Sequence, residues 1–220
     1  MNGDQAETLR LLAGPPKGSA GAMGSEPPKV WIIPHRLVVV VGGRTGAGAT
    51  TLAVNLVHEA AHRGLRAACL GSEVTRGSSP PAADYYVLDA GTSADFDGIA
   101  DFLVLVAAPD PEAVKGVYLA LKRFRRSDPE LPAGIVVNRA FSPAEGAAVA
   151  ERVASAAAAF IPGPAPEVLG WVLDDPELFR SEAEGRPASA AAPRSAAAAG
   201  VRLCARRLWS RWRPRWSTAA

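Results

Sequence analysis

Residues 43–50, GRTGAGAT, carry the clearest chemical signal in the sequence. Glycines at this spacing allow successive backbone N–H groups to turn inward around phosphate oxygens, and the positive end of a following helix strengthens the attraction. The stretch matches the phosphate-loop template G-x-x-x-x-G-K-[ST] at every fixed position except the lysine. The hydroxyl of Thr50 stands where that template places a Mg²⁺ ligand. The sequence therefore predicts a phosphate-binding loop, with a glycine-rich turn that holds no ligand as the alternative.

The lysine of that template is replaced by Ala49. The replacement removes a cation that would bridge the β- and γ-phosphates of a nucleotide, a charge-assisted contact of roughly 1.5–3 kcal/mol. Its loss weighs more heavily on a transition state in which negative charge spreads. We expect ATP as the ligand, with Mg²⁺ where ATP binds, and leave weak or absent binding open.

The pattern of apolar residues indicates the elements that position this loop. Residues 37–41 form a continuous apolar run, typical of a central parallel strand buried on both faces, and a helical pattern follows the loop at 50–63. This alternation continues and predicts an α/β fold with a mostly parallel sheet flanked by helices. The later strands are predicted at 67–70, 85–88, 102–107, 134–137 and 168–172, and the later helices at 111–126, 143–160, 176–184 and 194–213.

Composition favours one folded domain in a cytoplasmic protein. Of the 220 residues, 48% are apolar and 21% charged, and no apolar run is long enough to span a membrane or to act as a secretion signal. Six arginines and no acidic residue lie in 201–220, so the other 200 residues carry 18 basic and 22 acidic side chains. Because the basic character is confined to this tail, nucleic acid is not an expected partner.

The loop also resembles the deviant phosphate loop of the MinD/ParA family of P-loop ATPases, K-G-G-x-G-K-T-T, which RTGAGATT at 44–51 follows. Arg44 stands at the family's first lysine and keeps its charge. In that family this lysine reaches the phosphates of a partner subunit across an ATP-sandwiched dimer, so the resemblance implies a possible homodimer. Thr45 replaces a glycine, which would strain the loop if a positive φ is needed there.

Four further stretches, in the family's order, extend the resemblance over roughly residues 36–205. They are YYVLDAG at 85–91, VAAPDPE at 106–112, VVNR at 136–139 and LGWVLDDP at 169–176. The resemblance implies a P-loop NTPase fold of the deviant Walker A, SIMIBI type, in which Asn138 contacts adenine and Asp89 lies near Mg²⁺. The nucleotide-binding residues implied are Gly43, Arg44, Thr45, Gly46, Ala47, Gly48, Ala49, Thr50, Thr51, Asn138 and Arg139, with Thr50 and Asp89 as metal ligands.

Two departures from the family pattern concern hydrolysis. Where the family's second strand ends in D-A-D, this chain has Gly71-Ser72-Glu73, and only about fourteen residues, 71–84, precede the aspartate strand. The first switch region is therefore essentially absent, and Ala49 replaces the lysine. We expect weak or no ATP hydrolysis, with Asp89 as the one candidate catalytic residue. An active ATPase that uses Arg44 in place of the lysine is the alternative.

The N-terminus, DQAETLR at 4–10, resembles the D-Q-A-x-x-L-R activator motif of the flagellar-number regulators (FlhG, also called FleN). The resemblance implies an activator-like helix at 1–13. The Pro, Gly and Ser content of 14–30 predicts a flexible linker, followed by a P-loop domain at 31–200 and a basic C-terminal tail at 201–220. The resemblance also implies a regulator of flagellum placement or number that binds a signal-recognition-type, FlhF-like GTPase. An orphan MinD-like assembly factor for another polar or envelope machine is the alternative. The residues implied in partner binding are Asp4, Gln5, Ala6, Leu9 and Arg10.

The C-terminal segment is predicted to form an amphipathic helix with an apolar side flanked by arginines. Such a helix suits an anionic lipid surface, and the MinD resemblance implies the same, which would place the protein peripherally at the inner face of the cell membrane. Packing of the tryptophans on the domain itself and contact of the arginines with nucleic acid are the alternatives. The residues expected at the membrane are Leu208, Trp209, Trp212, Arg206, Arg207 and Arg211.

Overall fold

The computed structural model describes residues 36–70, 82–92 and 100–212. The N-terminal motif predicted at residues 4–10, the linker predicted at 14–30 and the segment Gly71-Ser72-Glu73 lie outside the described residues. The partner-binding expectation for the N-terminus therefore stays a prediction.

Six parallel strands form one sheet in the order β2-β3-β1-β4-β5-β6, which confirms the predicted α/β fold. The predicted strands and helices are present, mostly with ends that differ by a few residues. In chain order the elements are β1 (Arg36–Gly42), α1 (Ala49–Ala61), β2 (Ala67–Leu70), β3 (Tyr85–Asp89), β4 (Phe102–Ala107), α2 (Pro111–Ser127), β5 (Ala133–Ala140), α3 (Pro143–Phe160), β6 (Glu167–Leu173), α4 (Pro176–Ala183), α5 (Ala188–Ala191) and α6 (Ala196–Trp209).

Helices cover both faces of the sheet because the strands are apolar on both sides. In β1, Val39 and Val41 pack into the core shared with α2 and α3, whereas Val38 and Val40 pack into the core shared with α1 and α6. All four side chains are fully buried. The continuous apolar run of the sequence therefore corresponds to a strand between two cores, as its pattern predicts.

Strand β1 lies where the connections of the sheet change direction. Its neighbours are β3 on one side and β4 on the other, and neither follows it directly in the chain. In open parallel sheets such a point leaves a crevice at the carboxyl ends of the strands, and ligands bind there. The loop at 43–50 begins at this end of β1.

Helix α6 packs into the domain rather than presenting an apolar face to solvent. Trp209 is 2% exposed, its Nε1 donates a hydrogen bond to the Leu56 carbonyl at 3.0 Å, and its ring meets Tyr85 edge-on. Leu208 is fully buried and Trp212 is 9% exposed. This corrects the membrane interpretation of these three side chains, because the core of the domain occupies the surface that lipid would need. The structure shows the packing alternative.

Arg207, near the end of α6, and Arg211, just beyond it, hold this segment against β6. The Arg207 guanidinium donates hydrogen bonds to the carbonyls of Val168 and Leu169, and Arg211 pairs with Glu167. Arg206 is exposed. Among the helices of the described residues, none has the length and apolar character needed to span a bilayer.

Candidate functional site

The loop at 43–50 connects β1 to α1 and bends through two left-handed glycines. Gly46 has φ 78° and Gly48 has φ 93°, a region that suits glycine. Gly48 is the N-cap of α1, no side chain caps the helix, and no acidic residue lies in its first turn. Thr45 has no positive φ, so the strain expected from its replacement of glycine does not arise.

Three backbone N–H groups of the loop have no hydrogen-bond acceptor within the part of the chain that the structure describes. Gly46, Gly48 and Thr50 donate no backbone hydrogen bond to another of the described residues. All three residues line one cavity, together with the start of α1. Unsatisfied amides at a helix N-terminus, with the positive end of the helix dipole behind them, form an arrangement that binds phosphate.

The cavity in front of the loop has a volume of about 390 Å³. This is within the range of small-molecule and cofactor sites. Its far wall comes from the carboxyl ends of β5 and β6 and from α4. Besides residues 44–51 of the loop and α1, the lining residues are Gly91, Thr92, Asn138, Arg139, Asp174, Asp175, Leu178 and Phe179.

Asn138, expected to contact adenine, is engaged with the loop itself. Its Nδ2 donates a hydrogen bond to the Ala47 carbonyl at 3.0 Å, and the residue is only 6% exposed. A Cβ at Gly48 would fall 2.0 Å from that same Nδ2. Glycine is therefore needed at position 48 for two reasons: its positive φ, and the close approach of the Asn138 side chain that holds the loop.

Arg139 and two aspartates form the polar rim opposite the loop. Arg139 has φ 60°, and its Nε lies 3.6 Å from an oxygen of Asp174. Asp175 accepts hydrogen bonds from the backbone N–H groups of Glu177 and Ala197, so one carboxylate orders the first turns of α4 and α6.

Solved structures with a similar architecture exist at low sequence identity. MinD from Aquifex aeolicus matches with a TM-score of 0.65, covering 81% of this chain and 99% of its own, at 16% identity. MinD from Pyrococcus horikoshii, in a structure with Mg-ADP, matches with a TM-score of 0.59, covering 79% of this chain and 96% of its own, at 14% identity. A ParA family ATPase from Chlorobium tepidum matches with a TM-score of 0.57, covering 78% of this chain and 97% of its own, at 14% identity. No protein-family profile and no curated protein matches the sequence.

The fold is that of the MinD/ParA-type P-loop ATPases. The resemblance noted in the sequence therefore extends to the fold of the domain.

Arg44, which stands at the first lysine of the MinD/ParA pattern, lines the cavity and is held in an ion pair. Its Nε donates to Asp110 at 2.9 Å, and its Nη1 donates to the Thr45 carbonyl at 2.9 Å. The other oxygen of Asp110 accepts from the Ala113 N–H at 2.8 Å and so caps α2. Desolvation acts to raise the pKa of Asp110, but the Ala113 N–H and the Arg44 guanidinium together lower it.

The remaining predicted residues divide between the cavity and its surroundings. Thr50 is exposed at the first turn of α1, and Ala49, at the lysine position, is 7% exposed; both line the cavity. Asp89 does not line it, and its Oδ1 accepts a hydrogen bond from the Gly91 N–H at 2.9 Å. In the part of the chain that the structure describes, no three His, Cys, Asp or Glu side chains form a metal-binding group.

Three features of the site were not found from the sequence. Phe179 on α4, 68% exposed, lines the cavity. The pairing of Asp110 with Arg44 joins residues far apart in the sequence. Gly116 is needed for a close approach, since a Cβ there would lie 1.6 Å from the Gly43 carbonyl oxygen. An isolated glycine inside a helical pattern was the available signal for the last of these.

Proposed function

We propose that this chain is a MinD/ParA-like regulatory protein that binds ATP or ADP with Mg²⁺ through residues 43–51 and hydrolyses ATP slowly or not at all. The observation that carries the proposal is the set of open N–H groups of Gly46, Gly48 and Thr50 around one cavity. A protein of the same fold from Pyrococcus horikoshii was solved with Mg-ADP. In this chain the Thr50 hydroxyl and phosphate oxygens would hold the Mg²⁺ ion.

Two features of the site support impaired hydrolysis. Ala49 supplies no cation to the β- and γ-phosphates, and the charge of Arg44 is compensated by Asp110. A transition state that spreads negative charge over the transferred phosphoryl group therefore meets backbone amides but no uncompensated cation from these two positions.

Two glycine variants test nucleotide binding. Gly48→Ala should abolish it, because the new methyl group collides with Asn138 and the backbone needs φ 93°. Gly64→Ala is the matched control, since Gly64 also has a positive φ, 69°, but has open space around it and lies beyond the far end of α1. We expect Mg-ADP titration by calorimetry to give binding in the control and none in Gly48→Ala. Equal affinity in both variants would overturn the proposal.

The flagellar assignment is a finer part of the same proposal. It rests on residues 4–10, with Gln5 nearest to the chemistry of an FlhF-like GTPase and Leu9 as the apolar anchor. Gln5→Ala and Leu9→Ala should each reduce the stimulation of GTP hydrolysis by such a partner, while Glu7→Ala, at an unfixed position of the motif, should not. Unchanged stimulation in the first two variants would favour the orphan assembly factor instead.

Homodimer formation and peripheral membrane association are further parts of the proposal. A dimer would require Arg44 to leave Asp110 and reach a second nucleotide. Membrane contact would have to use the exposed arginines Arg206, Arg207 and Arg211 and the tail at 213–220, because the apolar side of α6 is buried. Pelleting of the intact chain with anionic liposomes, lost on removal of 213–220, is the expected result, and absence of pelleting would contradict the membrane contact.

A further inference from the structure

Two histidines lie one helical turn apart near the end of α1 that is remote from the phosphate loop. His58 is half-buried, His62 is exposed, and their Nε2 atoms are 3.0 Å apart. The ring planes are nearly perpendicular, at 87°, with centroids 4.6 Å apart. Two nitrogen atoms that can each act as a metal ligand therefore lie side by side at the helix surface.

The separation of these nitrogens fits one metal ion held by both rings. Metal–nitrogen bonds of about 2.0–2.1 Å would place the two nitrogens at an angle of about 91–97° at the ion. That angle matches two adjacent positions of an octahedral or square-planar ion and is within reach of a tetrahedral one. We propose that His58 and His62 form a two-histidine site for a divalent transition-metal ion such as Zn²⁺, with water completing the coordination.

The surrounding residues argue against a hydrolytic metal centre. The spacing His-Glu-x-x-His is the one with which zinc metalloproteases hold their ion and a general base. Here Glu59 is 3% exposed and its Oε2 accepts a hydrogen bond from Arg63 at 3.0 Å, so it cannot act as a base at the histidines. The described residues contain no third His, Cys, Asp or Glu that completes a metal group.

The charges near the pair are already compensated within the protein. Arg63, the cation next to His62 in sequence, donates to the Glu59 carboxylate and carbonyl and to the Arg202 carbonyl. Its positive charge is thereby matched by Glu59. An ion at the pair would join consecutive turns of α1 and stabilise the end of that helix, because it binds the folded helix in preference to the unfolded chain.

Calorimetric titration of the tag-free full-length chain with ZnCl₂ tests this site. We expect saturable binding of one ion per chain and a rise in the melting temperature. His58→Ala and His62→Ala should each weaken binding by about tenfold or more, since one of two imidazole ligands is lost. His35→Ala is the matched control, because it removes the chain's third histidine and should bind as the unaltered chain does.

A second measurement separates the site from a simple contact between the rings. With Cu²⁺ as the probe, electron paramagnetic resonance should show two coordinating imidazole nitrogens in the intact chain and one in His62→Ala. Circular dichroism checks that each variant is folded. Absence of saturable Zn²⁺ binding, or equal binding by all three histidine variants, would overturn the proposal and leave an imidazole–imidazole hydrogen bond only.

Discussion

At the scale of single residues, Ala49 and Arg44 together determine how much positive charge meets a bound phosphate. The first lines the cavity without a charge, and the second is held by Asp110 and by the Thr45 carbonyl. Within the loop, backbone N–H groups are then left as the principal donors toward the ligand, while Arg139 lines the same cavity. Restoring or releasing one cation should therefore change nucleotide affinity in a predictable direction.

Ala49→Lys should tighten Mg-ADP binding roughly ten- to hundredfold, because one charge-assisted contact is restored. Ala61→Lys is the matched control, since Ala61 is exposed at the far end of the same helix and its substitution adds the same charge away from the cavity. Calorimetry of both variants measures the effect. An unchanged affinity in Ala49→Lys would show that this position does not face the phosphates.

Asp110→Asn should release Arg44 while keeping an acceptor that can cap α2. The pKa of Asp110 is lowered in the folded chain, so its contribution to stability is present above the pKa of the unfolded state and is lost as the pH falls through the folded value. Urea unfolding of the two proteins should differ at pH 7, and the difference should shrink as the pH falls below the ordinary range of a carboxyl group. A difference that stays constant with pH would contradict the carboxylate's role.

At the scale of elements, α6 illustrates why the distribution of residues around a helix does not reveal which surface its apolar side packs against. Tryptophans and leucine on one side, with arginines beside them, suit both a lipid surface and a protein core. Tertiary contacts decide between these two surfaces. The indole N–H of Trp209 donates a hydrogen bond to the Leu56 carbonyl, and Arg207 donates hydrogen bonds to backbone carbonyls of β6. None of these contacts is close in sequence.

Trp209→Ala should destabilise the chain by about 3–5 kcal/mol, as expected for a large buried aromatic residue. Arg206→Ala, on the exposed side of the same helix, should change the free energy of unfolding by less than about 0.5 kcal/mol. Urea denaturation of both variants measures the difference. Similar, small effects in the two would indicate that α6 does not pack on the domain as the structure shows.

At the scale of the whole molecule, much of the fold could be predicted from local patterns. Apolar β-branched runs such as 37–41 and capped amphipathic helices such as α2 are specified by neighbouring residues, and the loop between β1 and α1 is specified by its glycines. The pairing of Arg44 with Asp110 and the support of the loop by Asn138 join residues 66 and 91 positions apart. Such contacts depend on which strands become neighbours, which the local pattern does not encode.

The central claim, that residues 43–50 hold a phosphate group, can be tested by following the backbone amides of the chain in nuclear magnetic resonance spectra during Mg-ADP titration. The account predicts that the amide signals of Gly46, Gly48 and Thr50 shift most and saturate together, since these groups would acquire charged hydrogen-bond acceptors. Saturating shifts confined to other parts of the chain, with these three amides unmoved, would contradict it.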